Sequence, residues 1–202
     1  MSDSSMKAVA VVPSKKELRL VDHPIPQLSD GNQIKVQTLD VGICGTDREI
    51  CTFVYGSPPE GDDYLVLGHE SLGRVVEVGD SVTRLKVGDL VVPSVRRPCS
   101  DPNCNPCCND KQDYCINGQF TERGIKEVHG FMTEYYLDDE KYFTRVPEDL
   151  RELAVMAEPL TIAEKGLAQA YAVQQRLPWA CADPGKPKGH GLRAVVLGAG
   201  PI

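Results

Sequence analysis

The 202-residue sequence contains no apolar run long enough to cross a bilayer, which takes about 18 consecutive apolar residues. Its N-terminus has no apolar core of signal-peptide length, so the sequence predicts a cytoplasmic protein with no membrane partner. Basic runs are also absent, and 22 lysines and arginines stand against 29 acidic residues, a net charge of −7. We therefore expect no nucleic-acid partner.

The composition bounds the size and class of the protein. A chain of 202 residues is long enough for one large domain, or for one domain and part of a second, with a core that needs no disulfides. A hydrophobic share of 41% and a charged share of 25% are ordinary for a globular protein and exclude a disordered chain. The 18 glycines and 15 prolines favour short strands and many turns.

The apolar pattern predicts a mainly β architecture for residues 6–147. Short apolar stretches, several of them alternating with polar residues, are closed at both ends by glycine or proline. Residues 7–12 and 17–21 have the form of a hairpin, so we predict a β-barrel or sandwich. The other predicted strands cover residues 34–38, 73–79, 88–93, 130–137 and 142–146.

The composition changes after Pro147. Residues 148–156 and 159–177 are rich in alanine, leucine, glutamate and glutamine, so they predict helices, with Pro159 at a first helical position. Residues 178–191 hold three prolines and three glycines and predict a loop. Helices therefore follow the strands.

Five of the eight cysteines lie within residues 99–115, a segment that we call the cysteine lobe. In a reducing compartment, clustered cysteines bind metal more often than they pair with each other. Four thiolates can close a tetrahedral zinc site with bonds of about 2.3 Å. The lobe has little apolar content, so metal would have to hold it together. We predict that Cys99, Cys104, Cys107 and Cys115 bind this zinc, with Cys108 as a spare and free thiols as the alternative.

A second group joins a thiol, an imidazole and carboxylates. Cys44 follows a predicted strand, and His69 and Glu70 follow another apolar stretch. These residue types form catalytic zinc sites, which keep one coordination position open. Neighbouring side chains on a strand face opposite ways, so both reach one ion only if Gly68 turns the chain. Glu158 is a further carboxylate candidate, although taken singly these residues also fit a core or a helix N-terminus.

Both groups resemble those of the zinc-containing medium-chain dehydrogenases. I-C-G-T-D at residues 43–47 resembles the family's first zinc-ligand motif, and the cysteine lobe resembles its structural-zinc loop, C-x2-C-x2-C-x7-C. Here the first gap, from Cys99 to Cys104, holds four residues, so Cys108 is an alternative ligand. The family signature G-H-E-x-x-G-x5-G-x2-V is present as Gly68, His69, Glu70, Gly73, Gly79 and Val82. Residues 95–98, 112–115, 120–125, 129–132 and 158–165 are most similar to those of archaeal-type glucose 1-dehydrogenases.

The resemblance implies a GroES-like barrel that carries the zinc, followed by helices and the first strand of a truncated Rossmann domain. It divides the chain into a zinc-binding catalytic domain (residues 6–155), a connecting helix and loop (156–192), and the start of a dinucleotide-binding domain (193–202). In the last part, an apolar strand runs into Gly198 and Gly200, which the resemblance assigns to the cofactor, NAD or NADP. Alone, such a pair also fits a simple strand-ending turn.

The implied activity is that of a glucose (aldose) 1-dehydrogenase, which oxidises the sugar C1 hydroxyl to the lactone and transfers hydride to NAD(P)⁺. The catalytic zinc would be held by Cys44 and His69 with Glu70 or Glu158, and would favour the alkoxide-like form of the hydroxyl. The implied partners are a small-molecule sugar and, for the full-length enzyme, further copies in a homo-oligomer.

Two more residues receive roles from the resemblance. Thr46 resembles the hydroxyl that passes the proton away, and Glu122 resembles a contact to a sugar hydroxyl. Read in isolation, Thr46 would cap a short helix that begins near Asp47, and Glu122 would be a solvated surface charge. Since the third fingerprint glycine would follow Ile202, we expect this chain alone to bind zinc without dehydrogenase activity.

Two other functions are compatible with the same residues. The chain could come from a zinc dehydrogenase acting on a polyol or on threonine, because these enzymes share the first motifs. It could also be an inactive zinc-binding module. Two zinc ions per chain favour an enzyme, whereas one ion confined to the cysteine lobe favours a module.

Overall fold

The computed structural model describes residues 5–176, 193, 195–198 and 200. The chain divides into two compact units, Met1–Val155 and Met156–Ile202. The predicted loop at 178–191 lies outside the described residues.

The first unit is built mainly from short strands, which confirms the predicted mainly β class. Glycines and prolines interrupt the apolar stretches, so few of the strands exceed eight residues. Its described residues form eleven strands: β1 Ser5–Val12, β2 Glu17–Pro24, β3 Gln33–Gly42, β4 Leu65–Val66, β5 Glu70–Val78, β6 Leu90–Pro93, β7 Arg96–Arg97, β8 Thr121–Arg123, β9 Glu127–Val128, β10 Tyr135–Asp139 and β11 Phe143–Val146.

The strands form three sheets. The first has the order β2-β1-β4, the second β10-β3-β5-β6-β11, and the third β7-β8-β9. Strands β1 and β2 pair in antiparallel register from Ser5 with Pro24 to Val12 with Glu17, so the predicted hairpin is confirmed. A 3₁₀ turn, Pro13–Lys15, connects them.

The core of the five-stranded sheet follows from the alternation along β3. Ile34 and Val36 are fully buried, whereas Gln37, which follows them, is exposed. They pack with Phe131 and Tyr136 in one apolar cluster that also contains Val75, Leu85, Val91 and Phe143. Ile34 and Val36 belong to β3 and Val75 belongs to β5, so the cluster joins these two paired strands.

The helices differ in part from the prediction. The described helices are α1 Gly45–Ile50, α2 Asn105–Cys108 and α3 Ala157–Gln174. Instead of a helix over residues 148–156, the chain forms two 3₁₀ segments, Glu148–Leu150 and Ala154–Met156. Because α3 begins at Ala157, Pro159 is its third residue and not its first. Proline is tolerated there because the first-turn N–H groups have no intrahelical partners.

The second unit departs from the prediction at its end as well. Residues 193, 195–198 and 200 belong to no strand. Val195, Val196 and Leu197 are more than four-fifths exposed. Among the described residues no helix has the length and apolar character that a membrane span requires.

Candidate active site and metal centres

Three of the predicted zinc ligands converge in the first unit. A ligand atom of Cys44, one of His69 and one of Glu70 all lie within 4.8 Å of one another. Cys44 directly precedes α1, His69 directly precedes β5, and Glu70 is the first residue of β5. The antiparallel register of β3 with β5 places Glu70 opposite Gly42, two residues before Cys44. Strand pairing therefore unites groups that are distant in sequence.

The turn expected at Gly68 is present. Gly68 has a φ of +90°, a conformation that favours glycine, and a Cβ there would lie 2.7 Å from Met132 Cγ. This turn aims both His69 and Glu70 at the same side. A second glycine is needed opposite them, because a Cβ on Gly42 would overlap the Glu70 carboxylate. Small residues on both strands thus make room for the cluster.

Asp47 is a site residue that the sequence analysis missed. Its Oδ1 lies 3.4 Å from Nδ1 of His69, both side chains are buried, and neither atom has a well-aligned hydrogen-bond partner. Its Oδ2 accepts a hydrogen bond from the backbone N–H of Cys44 at 2.9 Å. Burial lowers the pKa of His69, but Asp47 and Cys44 outweigh it and raise that pKa to about 9. Asp47 therefore orients both His69 and Cys44.

Thr46 and Glu158 occupy different units. Thr46 Oγ1 lies 3.8 Å from Cys44 Sγ, on the first turn of α1. Thr46 does not cap this helix, which was the alternative reading of the residue, since the helix begins at Gly45 and the carboxylate of Asp47 accepts a hydrogen bond from the Cys44 N–H. The sequence did contain a signal for the role of Asp47, because Cys44 and Asp47 have the spacing of a capping box. Glu158 lies in the first turn of α3, and its role as a ligand stays a prediction.

The cysteine lobe brings four thiols together. Ligand atoms of Cys99, Cys104, Cys107 and Cys115 all lie within 4.8 Å of one another, and Cys104 and Cys107 are buried. Helix α2 positions two of them, with Cys104 at its N-cap and Cys107 on its single turn. Cys108 is exposed and outside the group, with its Sγ 3.4 Å from the carbonyl oxygen of Pro102. The four residues between Cys99 and Cys104 therefore do not prevent Cys99 from joining the group.

The thiols of the lobe differ in pKa. Hydrogen bonds from the backbone at Ile116 and Cys107 lower the pKa of Cys104. Burial opposes ionisation of Cys115, yet the backbone N–H of Asn117 and the neighbouring thiols lower its pKa to about 6. Burial raises the pKa of Cys107 to about 12. A cation that binds all four thiols must displace the protons that they still carry.

Both donor sets fit zinc. Four clustered thiols are the donor set of a closed structural zinc site. A thiol, an imidazole and a carboxylate provide three ligands and leave a fourth position for substrate, as catalytic zinc sites do. At the second set, the buried Oδ1 of Asp47 lies 3.4 Å from Nδ1 of His69. An ordered hydrogen bond between a carboxylate and a ligating histidine is common at metal sites.

Glu122 is not the solvated surface charge that it resembles in isolation. It lies on β8, is only 9% exposed, and its Oε1 accepts hydrogen bonds from Nε and Nη2 of Arg96 at 2.9 and 2.7 Å. Gly198 and Gly200 lie in the second unit, where Gly200 is exposed and Gly198 has a φ of +113°. Their assignment to a cofactor stays a prediction.

Comparison with known proteins identifies the family to which this fold belongs. Residues 30–148 match the alcohol dehydrogenase GroES-like domain. The chain belongs to this family. The GroES-like fold and the resemblance to zinc-containing medium-chain dehydrogenases are thereby confirmed, and the matched span contains Cys44, His69, Glu70 and the whole cysteine lobe.

Curated relatives of this GroES-like chain are glucose 1-dehydrogenases. It is 43% identical over 198 residues to glucose 1-dehydrogenase of Methanocella arvoryzae, covering 98% of this chain and 52% of the relative. It is 45% identical over 199 residues to glucose 1-dehydrogenase 1 of Caldivirga maquilingensis, again covering 98% and 52%. The chain therefore spans about half the length of the curated relatives it matches.

Solved structures show the same similarity. The glucose dehydrogenase of Haloferax mediterranei, in complex with NADP, Zn and gluconolactone, matches with a TM-score of 0.77 and 40% identity, covering 87% of this chain and 48% of that one. Galactitol-1-phosphate dehydrogenase of Escherichia coli matches less closely, with a TM-score of 0.65 and 25% identity over 78% of this chain and 43% of that one.

Proposed function

We propose that this chain is the catalytic part of a zinc-dependent glucose (aldose) 1-dehydrogenase that uses NAD or NADP. The observation that carries this proposal is the convergence of Cys44, His69 and Glu70, which joins two separate sequence motifs in one donor set. The relatives named glucose 1-dehydrogenase support the substrate class. The similar Haloferax protein was solved with gluconolactone, the lactone that C1 oxidation of glucose produces.

Two zinc ions are proposed for the chain. Cys44 and His69, with Glu70 or Glu158, would hold the catalytic ion, and Cys99, Cys104, Cys107 and Cys115 the structural one. When bound, the catalytic ion supplies Lewis-acid activation of the substrate hydroxyl. Asp47 keeps the His69 ring in one orientation before substrate binds. The entropy of ordering the ring is therefore not lost when substrate binds.

The proposed reaction removes two hydrogens from C1 of the sugar and its hydroxyl. The C1 hydrogen leaves with its electron pair as hydride to C4 of the nicotinamide, and the C1–O bond becomes the lactone carbonyl. The hydroxyl proton passes to Thr46 Oγ1, which lies beside Cys44 and is partly exposed, and from there toward solvent. Glu122 accepts a hydrogen bond from another sugar hydroxyl.

The remaining assignments are also proposals. Residues 6–155 would form the catalytic domain, 156–192 the connection, and 193–202 the start of the dinucleotide-binding domain, with Gly198 and Gly200 near the cofactor. The partner molecules would be a sugar and further copies of the chain.

Metal counting on single variants tests the proposal. We expect two zinc ions per wild-type chain after equilibrium dialysis, about one in C44S and about one in C104S. The matched control, C108S, should retain two because Cys108 is exposed and outside the lobe's group. One zinc in the wild type, lost in C104S and kept in C44S, would instead indicate a module with no catalytic metal.

A ligand panel tests the substrate class on the zinc-loaded chain. Saturation-transfer NMR with D-glucose, galactitol and L-threonine should give signals for glucose above those of the other two. A stronger signal from galactitol or threonine would favour the polyol or threonine-type alternative.

A further inference from the structure

We propose that Arg96 is a positioning residue that couples the cysteine lobe to the substrate carboxylate, Glu122. This inference rests on the proposed function, because it takes Glu122 as the group that meets a sugar hydroxyl. It gives the lobe a second role, since the metal that orders the lobe would then also order the sugar contact.

The contact between Arg96 and Glu122 leaves one carboxylate oxygen available. Nε and Nη2 of Arg96 both donate to Oε1 of Glu122, at 2.9 and 2.7 Å. Within the described part of the chain, no hydrogen bond is made to Oε2 of Glu122. Two charge-assisted bonds from a planar guanidinium restrict the rotation of a carboxylate. Arg96 therefore fixes the direction in which Oε2 can accept a hydrogen bond from a ligand.

Arg96 also makes two contacts with the lobe. Its Nη1 donates to Oδ1 of Asp113 at 3.0 Å, and its carbonyl oxygen accepts from Nε2 of Gln112 at 3.4 Å. Both partners precede Cys115, whose thiol belongs to the four-cysteine group. The guanidinium also lies over the ring of Phe120, 4.4 Å from its centroid. The orientation of Arg96 thus depends on how residues 112–115 are held.

Strand β8 connects this arrangement to the proposed catalytic zinc. Gly124, two residues after Glu122, packs so closely on Gly68 that a Cβ there would overlap the Gly68 carbonyl oxygen. Gly68 in turn forms the turn that aims His69 and Glu70. Glu122 therefore lies on a strand that ends against the catalytic turn.

Ligand affinity tests the positioning role. In the zinc-loaded 202-residue chain, we expect R96Q to weaken D-glucose binding by about tenfold or more, and D113N by about threefold. R96K keeps the charge but not the planar fork, so it should fall between R96Q and wild type. The control is R19Q, which removes an exposed arginine paired with Glu17 on β2 and should bind like wild type. Zinc content and melting temperature are measured on every variant, and both should stay near wild type in D113N.

A second measurement tests whether the cysteine lobe orders Arg96 when no substrate is bound. In ¹⁵N NMR spectra of the arginine side chains, restricted rotation should give Arg96 separate Nη signals in the zinc-loaded wild type. The two signals should exchange faster than in wild type in D113N, which weakens the contact of Nη1 and keeps the lobe cysteines, and in C104S, which loses the lobe metal.

The outcomes separate this inference from the proposed function. Glucose binding in wild type that R96Q leaves unchanged would overturn the role of Arg96 and leave the proposed function standing. Exchange of the Nη signals in D113N and C104S that is as slow as in wild type would overturn the coupling to the lobe. No glucose binding by the wild type would count against the proposed function itself, and the NMR result would then still decide whether the lobe orders Arg96.

Discussion

At the residue scale, the candidate site depends on glycines at points where two backbones meet. Gly68 has a positive φ and lies against Met132, while Gly42 lies against the Glu70 side chain. Gly61 has the same φ of +90° as Gly68, but a Cβ added to it would have no atom within 4 Å. Substitutions at Gly61 and Gly68 can therefore distinguish the cost of backbone strain from the cost of steric contact.

We predict that G68A destabilises the protein more than G61A. An alanine at φ +90° costs on the order of 1 kcal/mol or more at either position. At Gly68 the added Cβ must also displace Met132, 2.7 Å away at Cγ and 3.0 Å away at N, so we expect about 2 kcal/mol beyond G61A. Urea unfolding of both variants measures the difference. Equal losses would show that contact with Met132 is unimportant.

His129 is a residue whose titration affects folding outside the proposed zinc sites. Its Nδ1 accepts a hydrogen bond from the backbone N–H of Val66 at 3.2 Å, and its Nε2 lies 3.0 Å from Asp62. Tyr64 stacks on its ring and His23 meets it edge-on. Burial lowers the pKa of His129, with Asp62 opposing and Arg123 adding to the decrease. The neutral ring is therefore the form that suits the fold.

We predict that stability falls as the pH drops below about 6.5, the ordinary histidine pKa. In that range the unfolded chain binds the proton more readily than the folded one, so acid favours unfolding until the lowered pKa is passed. The variant H129N keeps an acceptor for Val66 but cannot titrate, and its unfolding free energy should fall less between pH 7.5 and pH 5. His23, whose pKa burial also lowers, should retain part of the slope. Identical slopes in wild type and H129N would contradict this.

At the element scale, one carboxylate joins three short strands. Oδ2 of Asp138 on β10 accepts hydrogen bonds from Nη2 of Arg97 on β7 at 2.8 Å and from Nη2 of Arg123 on β8 at 2.6 Å. Burial raises the pKa of Asp138, but the two guanidinium groups outweigh it and hold that pKa below its ordinary value. Strands of two or three residues bury little apolar surface, so this network stabilises their packing.

We predict that D138N costs about 3 kcal/mol of stability, because it leaves two largely buried arginines without their counter-ion. The comparison variant is D22N, which breaks the exposed ion pair with Lys7 and should cost less than about 1 kcal/mol. Chemical unfolding at pH 7 measures both. A loss in D138N no larger than in D22N would mean that the network adds little.

At the scale of the whole molecule, the first unit contains its own cores. Its four apolar clusters are drawn from residues between Ala8 and Val155, and none needs a residue of the second unit. Both candidate metal sites found among the described residues lie within it as well. An apolar core and its metals are the usual requirements for independent folding.

We predict that a polypeptide of residues 1–155 folds and binds two zinc ions. Its thermal transition in the presence of zinc should be cooperative, and its ¹H–¹⁵N spectrum dispersed, because the clusters that stabilise the unit are all retained. Circular dichroism, NMR and metal counting measure this, with the 202-residue chain as reference. A polypeptide that stays unfolded with zinc would show that the fold needs the second unit.

Sequence by itself determined the residue types and their spacing. The alternation of Ile34 and Val36 predicts a half-buried strand, and the density of cysteines in the lobe predicts a thiolate site, because periodicity and donor chemistry are local properties. The helix boundaries were less predictable. The short 3₁₀ segment before Ala157 has no distinct signal in the sequence, so the start of the helix was predicted two residues too late. Pro159 is therefore the third helical residue and not the first.

Tertiary structure alone decided which of these residues meet. The approach of Glu70 to Cys44 and the contact of Arg96 with Glu122 depend on strand register. The pairing of Asp47 with His69 depends on the turn at Gly68, and the exclusion of Cys108 depends on the fold of the lobe. A change of one residue in register would send Glu70, Arg96 or Glu122 to the opposite face of its sheet. Long-range pairing sets that register, so no local pattern in the sequence contains it.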